Sequence, residues 1–249
     1  LKSCKGSGLS ADAGSYLNHF EVTLNHLDNV IRTAMEKGAD YADLFFEHTI
    51  ENYASLEDNK VNRAFSNVSF GVGIRVLKGD QTGFAFSEDV SPEAMIKAAR
   101  TAASIADSSS SPAPVNVSEL PAPNFYPVVR SWEDSSVKDK IPYLQKVNDR
   151  IFELDNRVTK VNATLGDNTS YILFYNSEGK LTWDYRPLVF MYVTCIMEKD
   201  GKIENYTASR SARQGTEFLT ESLVEELSSE AVAKTSILFD AVKDRKSTR

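Results

Sequence analysis

Two short stretches, Gly71-Val72-Gly73-Ile74-Arg75-Val76 and Gly83-Phe84-Ala85-Phe86, constrain this chain more than any other part of it. Both alternate in the period of a strand, whose side chains point to opposite faces in turn. They read as neighbouring strands joined by the turn Lys78-Gly79-Asp80. Alternation places Val72, Ile74 and Val76 on one face, which belongs to a core, and Gly71, Gly73 and Arg75 on the other. Glycines on that second face leave room for another group to approach the backbone closely. Ser91 and Pro92 follow at once, an N-cap and a first-turn proline that open an alanine-rich helix expected over 92–106.

The rest of the chain repeats this alternation of strand and helix signals. Leu24, Leu27, Val30, Ile31, Ala34 and Met35 recur at helical spacing before Gly38, which predicts an amphipathic helix over 20–37. Short β-prone runs at 41–49, 52–57, 61–65, 68–77 and 82–86 are punctuated by Asp58-Asn59 and Gly79-Asp80 and suggest an antiparallel meander. One helix before the strands and one after them make an α+β layer. Asp107-Ser108-Ser109-Ser110-Ser111-Pro112-Ala113-Pro114 disfavours helix and sheet alike and reads as a linker. Beyond it the pattern predicts an extended segment over 126–132 and a helix over 135–156, with Pro142 kinking or restarting it. Strands follow at 157–165, 170–175, 180–185, 188–198 and 202–209, with turns at Gly166-Asp167, Glu178-Gly179 and Asp200-Gly201. A last helix is expected over 219–241, with Ser222 and Glu225 as its capping box. The expected organisation is therefore α+β: a flexible leader over 1–17, an N-terminal domain over 18–107 with a helix-flanked, mainly antiparallel sheet, and a linker over 108–123. A second β-rich region with helices spans 124–242, and a short tail occupies 243–249.

Composition narrows the function classes. The 249 residues are 41% hydrophobic and 25% charged, as in ordinary globular domains long enough to bury a substantial core. A net charge of -7 without a basic stripe argues against nucleic acid as a partner, because phosphate contact needs clustered Lys and Arg. No apolar run reaches the roughly 18 residues expected of a membrane-spanning helix, so no membrane partner is expected. Two distant cysteines, Cys4 and Cys195, form no disulfide framework, and a cytoplasmic setting is the default expectation.

Candidate chemistry is sparse. His19 and His26 share one helix face and read as a solvated edge, while His48 lies on a strand with Glu47 pointing the opposite way. No H-E-x-x-H pair occurs, so the expectation is that this chain carries no metal ligands of its own. Cys195 sits in an apolar strand with no neighbouring cation to lower its pKa and reads as a buried, inert thiol. The acidic face Glu221, Glu225, Glu226 and Glu230 reads as solvated surface, and no catalytic residue is assigned. Gly71-x-Gly73 lacks the third glycine and the helix that a dinucleotide site needs. Arg75 beside the glycines is the one candidate substrate-binding residue, placed to hold a carboxylate or a carbonyl, against the plainer reading of close helix packing with Arg75 in a surface pair.

Several segments, in order, resemble the TldD/PmbA family. They are Ala42-Asp43-Leu44-Phe45-Phe46-Glu47, Leu56-Glu57-Asp58, Gly71-Val72-Gly73-Ile74-Arg75-Val76, Gly83-Phe84-Ala85 with its alanine-rich helix, Asn176-Ser177-Glu178-Gly179, Arg186-Pro187 and Ala231-Val232-Ala233. The resemblance covers about residues 20 to 242 and leans toward the TldD branch. It implies a zinc metallopeptidase, once described as a modulator of DNA gyrase, that degrades unfolded peptides and trims peptide-antibiotic precursors, acting as a homodimer or as a heterodimer with a family member. In that family an H-E-x-x-x-H helix and a later Cys hold the zinc, in a C-terminal half to which nothing here corresponds, since the match ends near Lys243. The implied role is a scaffold that shapes access to the catalytic chamber, with zinc bound by the parent protein and not by this chain. The alternatives are a non-catalytic, PmbA-like partner subunit and a free-standing peptide-binding β-rich adaptor.

Overall fold

The computed structural model describes residues 12–105, 116–123 and 125–241. The first half of the expected linker, the first part of the leader and the tail from residue 242 lie outside the described residues.

Helix α1 (Ala13–His19) is capped by Asp12, whose carboxylate accepts from the Ser15 N–H at 2.8 Å. It occupies part of the stretch expected to be a flexible leader, because Tyr16 and Phe20 are buried and anchor it. Helix α2 (Leu24–Met35) starts four residues later than expected, since Glu21 adopts φ 56 and the Thr23 hydroxyl caps the chain at His26. It buries Leu27, Val30, Ile31 and Ala34. Strand β1 (Tyr41–Glu57), strand β2 (Lys60–Lys78) and strand β3 (Gln81–Ser87) follow. The β1–β2 turn uses Asp58 and Asn59 at φ 51 and 60, the left-handed geometry of a two-residue hairpin. Ser91 caps helix α3 (Pro92–Ala102), which a 3-10 turn extends to Ile105. A two-residue strand β4 (Ser118–Glu119) comes next. The segment expected to be extended over 126–132 forms no strand and ends in a 3-10 turn at Trp132–Asp134. Helix α4 (Val137–Leu154) contains Pro142 without ending there. Strand β5 (Val158–Asn176), strand β6 (Lys180–Lys199), strand β7 (Lys202–Ala212) and helix α5 (Glu221–Phe239) complete the chain.

The strands form one seven-stranded, mainly antiparallel sheet in the order β3-β2-β1-β5-β6-β4, with β7 also paired to β6. This is the α+β class. Val72 pairs with Ser87 and Lys78 with Gln81 along the antiparallel β2–β3 ladder, while β4 joins β6 in parallel.

Two compact units divide the chain differently from the serial boundary, because β1, β2, β5 and β6 are each long enough to contribute to both. The first unit takes the described residues of 12–50, 68–127 and 169–186. Its core sets Leu44, Phe46, Val72, Ile74 and Val76 against Leu27 and Ile31 of α2 and Met95 and Ala99 of α3. The second takes residues 51–67, 128–168 and 187–241. Its core joins Leu144, Val147 and Ile151 of α4 to Val161 and Leu165 of β5, Val189 and Val193 of β6, and Leu223 and Leu227 of α5. Burying a Leu, Ile or Val side chain contributes about 1.5–3 kcal/mol, so each unit has the apolar content to hold its helices on its strands.

Candidate functional site

The face of the first unit's sheet that turns away from α2 and α3 carries a groove of about 480 Å³. Alternation builds it: Phe45 and Glu47 of β1, Gly71, Gly73 and Arg75 of β2, and Phe84 and Phe86 of β3 all project there, while Leu44, Val72, Ile74 and Val76 fill the core behind. The two glycines are needed because of the next strand. A Cβ at Gly71 would lie 2.5 Å from the Ser87 carbonyl oxygen and 2.8 Å from the Phe86 ring; one at Gly73 would lie 3.2 Å from the Phe84 ring. Since Gly73 pairs with Phe86 and Arg75 with Phe84, each ring lies diagonally across β2 onto a glycine. The close backbone approach expected at the glycine face is thus occupied by aromatic rings. Helix packing falls instead to Gly83, whose Cβ would stand 2.0 Å from the Ala102 carbonyl oxygen at the end of α3.

Phe84 and Phe86 remain 65% and 59% exposed, so the groove presents a contiguous aromatic surface to water. Arg75 borders it. Its Nε donates to Asp43 Oδ2 at 3.0 Å and its Nη2 to the same oxygen at 2.5 Å. The Asp43 side chain is nearly buried, whereas the guanidinium is about half exposed. That hydrogen bond raises the Arg75 pKa further, so the cation is permanent. The expected candidate is therefore a half-exposed cation at a groove edge, held on Asp43 and also engaged by Tyr41.

The other sequence-level candidates separate. His19 is not a solvated edge: its Nε2 lies 2.8 Å from His48 Nδ1, a pairing hidden in the sequence because most of α1 fell within the stretch expected to be a flexible leader. Asp167, expected in a turn with Gly166, lies inside β5. There it is buried, 2.8 Å from the fully buried Lys140 Nζ, accepts from Asn52 Nδ2 at 3.0 Å, and sits in a cluster where Lys140 also lies 5.1 Å from the Trp132 ring. Burial pushes the Asp167 carboxyl above the ordinary range even against the Lys140 charge. Cys195 is buried with its thiol pushed up to about 11 by burial, the reverse of an activated nucleophile. The acidic face of α5 is engaged in exposed pairs, Arg150 with Glu225 at 2.8 Å and Arg210 with Glu230 at 2.9 Å. Among the described residues no three His, Cys, Asp or Glu side chains are grouped to hold a metal ion, and no helix is long and apolar enough to cross a membrane.

Comparison with known proteins places these features in context. Residues 42–106 match the model for the PmbA/TldA metallopeptidase domain 1, and residues 130–239 match that for the PmbA/TldA metallopeptidase central domain. The Metalloprotease TldD homolog of Buchnera aphidicola subsp. Schizaphis graminum is 29% identical over 197 residues, which are 78% of this chain and 41% of the relative. The Metalloprotease TldD homolog of Haemophilus influenzae is 27% identical over 217 residues, 86% of this chain and 45% of the relative. The chain thus spans less than half the length of these curated relatives. Among solved structures, a Thermotoga maritima protein described as a modulator of DNA gyrase superposes with a TM-score of 0.70 at 19% identity, covering 92% of this chain and 50% of its own. TldE from Thermococcus kodakarensis superposes with a TM-score of 0.63 at 20% identity, covering 85% of this chain and 47% of its own. Both structural likenesses concern the fold.

Proposed function

This chain belongs to the PmbA/TldA metallopeptidase family and carries its first and central domains, and from that premise we propose that it is the scaffold and substrate-access portion of a TldD-like zinc metallopeptidase acting on unfolded peptides. The TldD names of the curated relatives support that branch over a non-catalytic, PmbA-like subunit. The described residues do not fit a zinc site, since no three ligands converge, and the paired His19 and His48 are surrounded by aromatic rings. In this reading the metal and the hydrolytic step lie outside the two matched domains, and the chain alone does not cleave peptide. The parent protein works in the cytoplasm as a homodimer or as a heterodimer with a family member.

The observation that carries the reading is the aromatic groove. Exposed rings over a glycine floor offer apolar contact without a shaped pocket for one side chain, which suits a substrate defined by being unfolded rather than by sequence. The half-exposed Arg75 guanidinium offers a cation for a peptide carbonyl or carboxylate beside the rings. Phe84 and Phe86 are more than half exposed, so F84S/F86S removes the surface without opening a core cavity. With a labelled, permanently unfolded peptide, fluorescence anisotropy should show the double variant binding about tenfold more weakly than the wild type, the loss of ordinary aromatic contacts. Equal affinity would remove the groove from substrate handling.

A further inference from the structure

One cluster of ionisable side chains lies on the opposite face of the same sheet. His19 ends α1 and His48 stands on β1, with Nε2 and Nδ1 2.8 Å apart and both rings half-buried. Aromatic groups surround them: the His19 ring centroid is 4.4 Å from Tyr171 and 5.2 Å from Phe20, and that of His48 is 5.4 Å from Phe70. At this distance one nitrogen donates and the other accepts, so the hydrogen bond lasts only while one of the facing nitrogens keeps its lone pair. A first proton puts a cation among apolar rings. A second sets N–H against N–H and two cations in contact.

Among the described residues, the side chains stacked around the pair carry no charge to offset these. Tyr16 of α1, Tyr171 of β5 and Tyr185 of β6 are phenols and stay neutral in acid, and β2 contributes Phe70. Asp184 of β6, the carboxylate that acts on Tyr16, is paired with Arg186 Nε at 2.6 Å. Among the described residues no carboxylate acts on either imidazole. Burial and then the His48 charge lower the His19 pKa to about 4, and burial lowers that of His48.

Helix α1 has seven residues, too few to persist by itself, and is held by packing: Tyr16 lies 6.3 Å from Tyr171 and 6.4 Å from Trp183, and Phe20 5.5 Å from Phe46. We propose that α1 is a strap fastened to the sheet by the neutral His19–His48 pair, and that mild acid unfastens it, uncovering the Tyr171 and Trp183 surface beneath. Detached histidines titrate near 6.5 and docked ones lower, so docking is complete above pH 6.5 and weakens as pH falls toward 4.

Hydrogen exchange read by mass spectrometry on the whole 249-residue chain, corrected for the intrinsic pH dependence of exchange, follows the strap directly. Protection of the 13–22 segment should fall roughly tenfold or more between pH 6.5 and 4 while that of α2 holds. H19F/H48F, which keeps two rings in place without a titrating nitrogen, should flatten the profile, and H48Q should flatten it in part. Unchanged protection in the wild type, or equal loss in wild type and variants, would overturn the proposal. So would NMR titration showing both paired imidazoles protonating near pH 6.5, a result that does not depend on any variant folding.

Discussion

A methyl group at Gly83 would stand 2.0 Å from the Ala102 carbonyl oxygen, and a backbone carbonyl cannot turn aside as a side chain can. Gly83→Ala should therefore destabilise the chain by about 1–3 kcal/mol, the usual cost of overpacking, whereas Gly73→Ala, facing the mobile rim of the Phe84 ring at 3.2 Å, should cost less in the same urea titration. The sequence marked Gly71 and Gly73 as places of close approach. It did not distinguish what approaches, since that depends on the β2–β3 register. The buried Lys140–Asp167 contact makes a second residue-scale prediction. Lys140→Met should lower stability by about 3–5 kcal/mol by leaving a carboxylate buried without its cation, while K140M/D167L should recover most of the loss. This contact was illegible in sequence. Gly-Asp is a common turn pair, and only the folded sheet brings Lys140 of α4 to Asp167 of β5.

At the scale of elements, periodicity located the helices and strands well because each buries a single face. It divided β1, β2, β5 and β6 into pieces where polar residues interrupt the apolar alternation: Asn67 sits within β2 and Asp167 within β5, yet the strands run on through both. Such residues stay in strand because side-chain partners satisfy them, as when Asn67 Nδ2 donates to Glu51 at 3.3 Å. Helix α5 offers a direct check of a boundary. Ser222 was the expected cap, but the Thr220 hydroxyl accepts from the Leu223 N–H at 3.1 Å, and Ser222 donates to Glu226 instead. Thr220→Ala should cost about 1 kcal/mol in thermal unfolding, and Ser222→Ala within about 0.5 kcal/mol of nothing. The reverse order would restore the capping box read from sequence.

For the whole molecule, the order of the quoted segments pointed to the family, and two domain models spanning 42–106 and 130–239 establish it. The separation into two cores was only partly legible. A serial reading places a boundary at the Ser/Pro-rich stretch, while the contacts interleave three segments of chain in each unit because the long strands serve both. The groove was legible as a glycine face beside Arg75. Its aromatic wall was not, since Phe84 and Phe86 alternate as core residues would and are exposed only because nothing described covers them. In the proposed division of labour these two family domains handle peptide and the metal chemistry lies outside them. That division is tested most directly by metal analysis of the purified 249-residue chain, together with a peptide-cleavage assay on the same unfolded substrate used for binding. Peptide binding that depends on Phe84 and Phe86 is expected, with no stoichiometric zinc and no cleavage. One bound zinc per chain with zinc-dependent cleavage would contradict it.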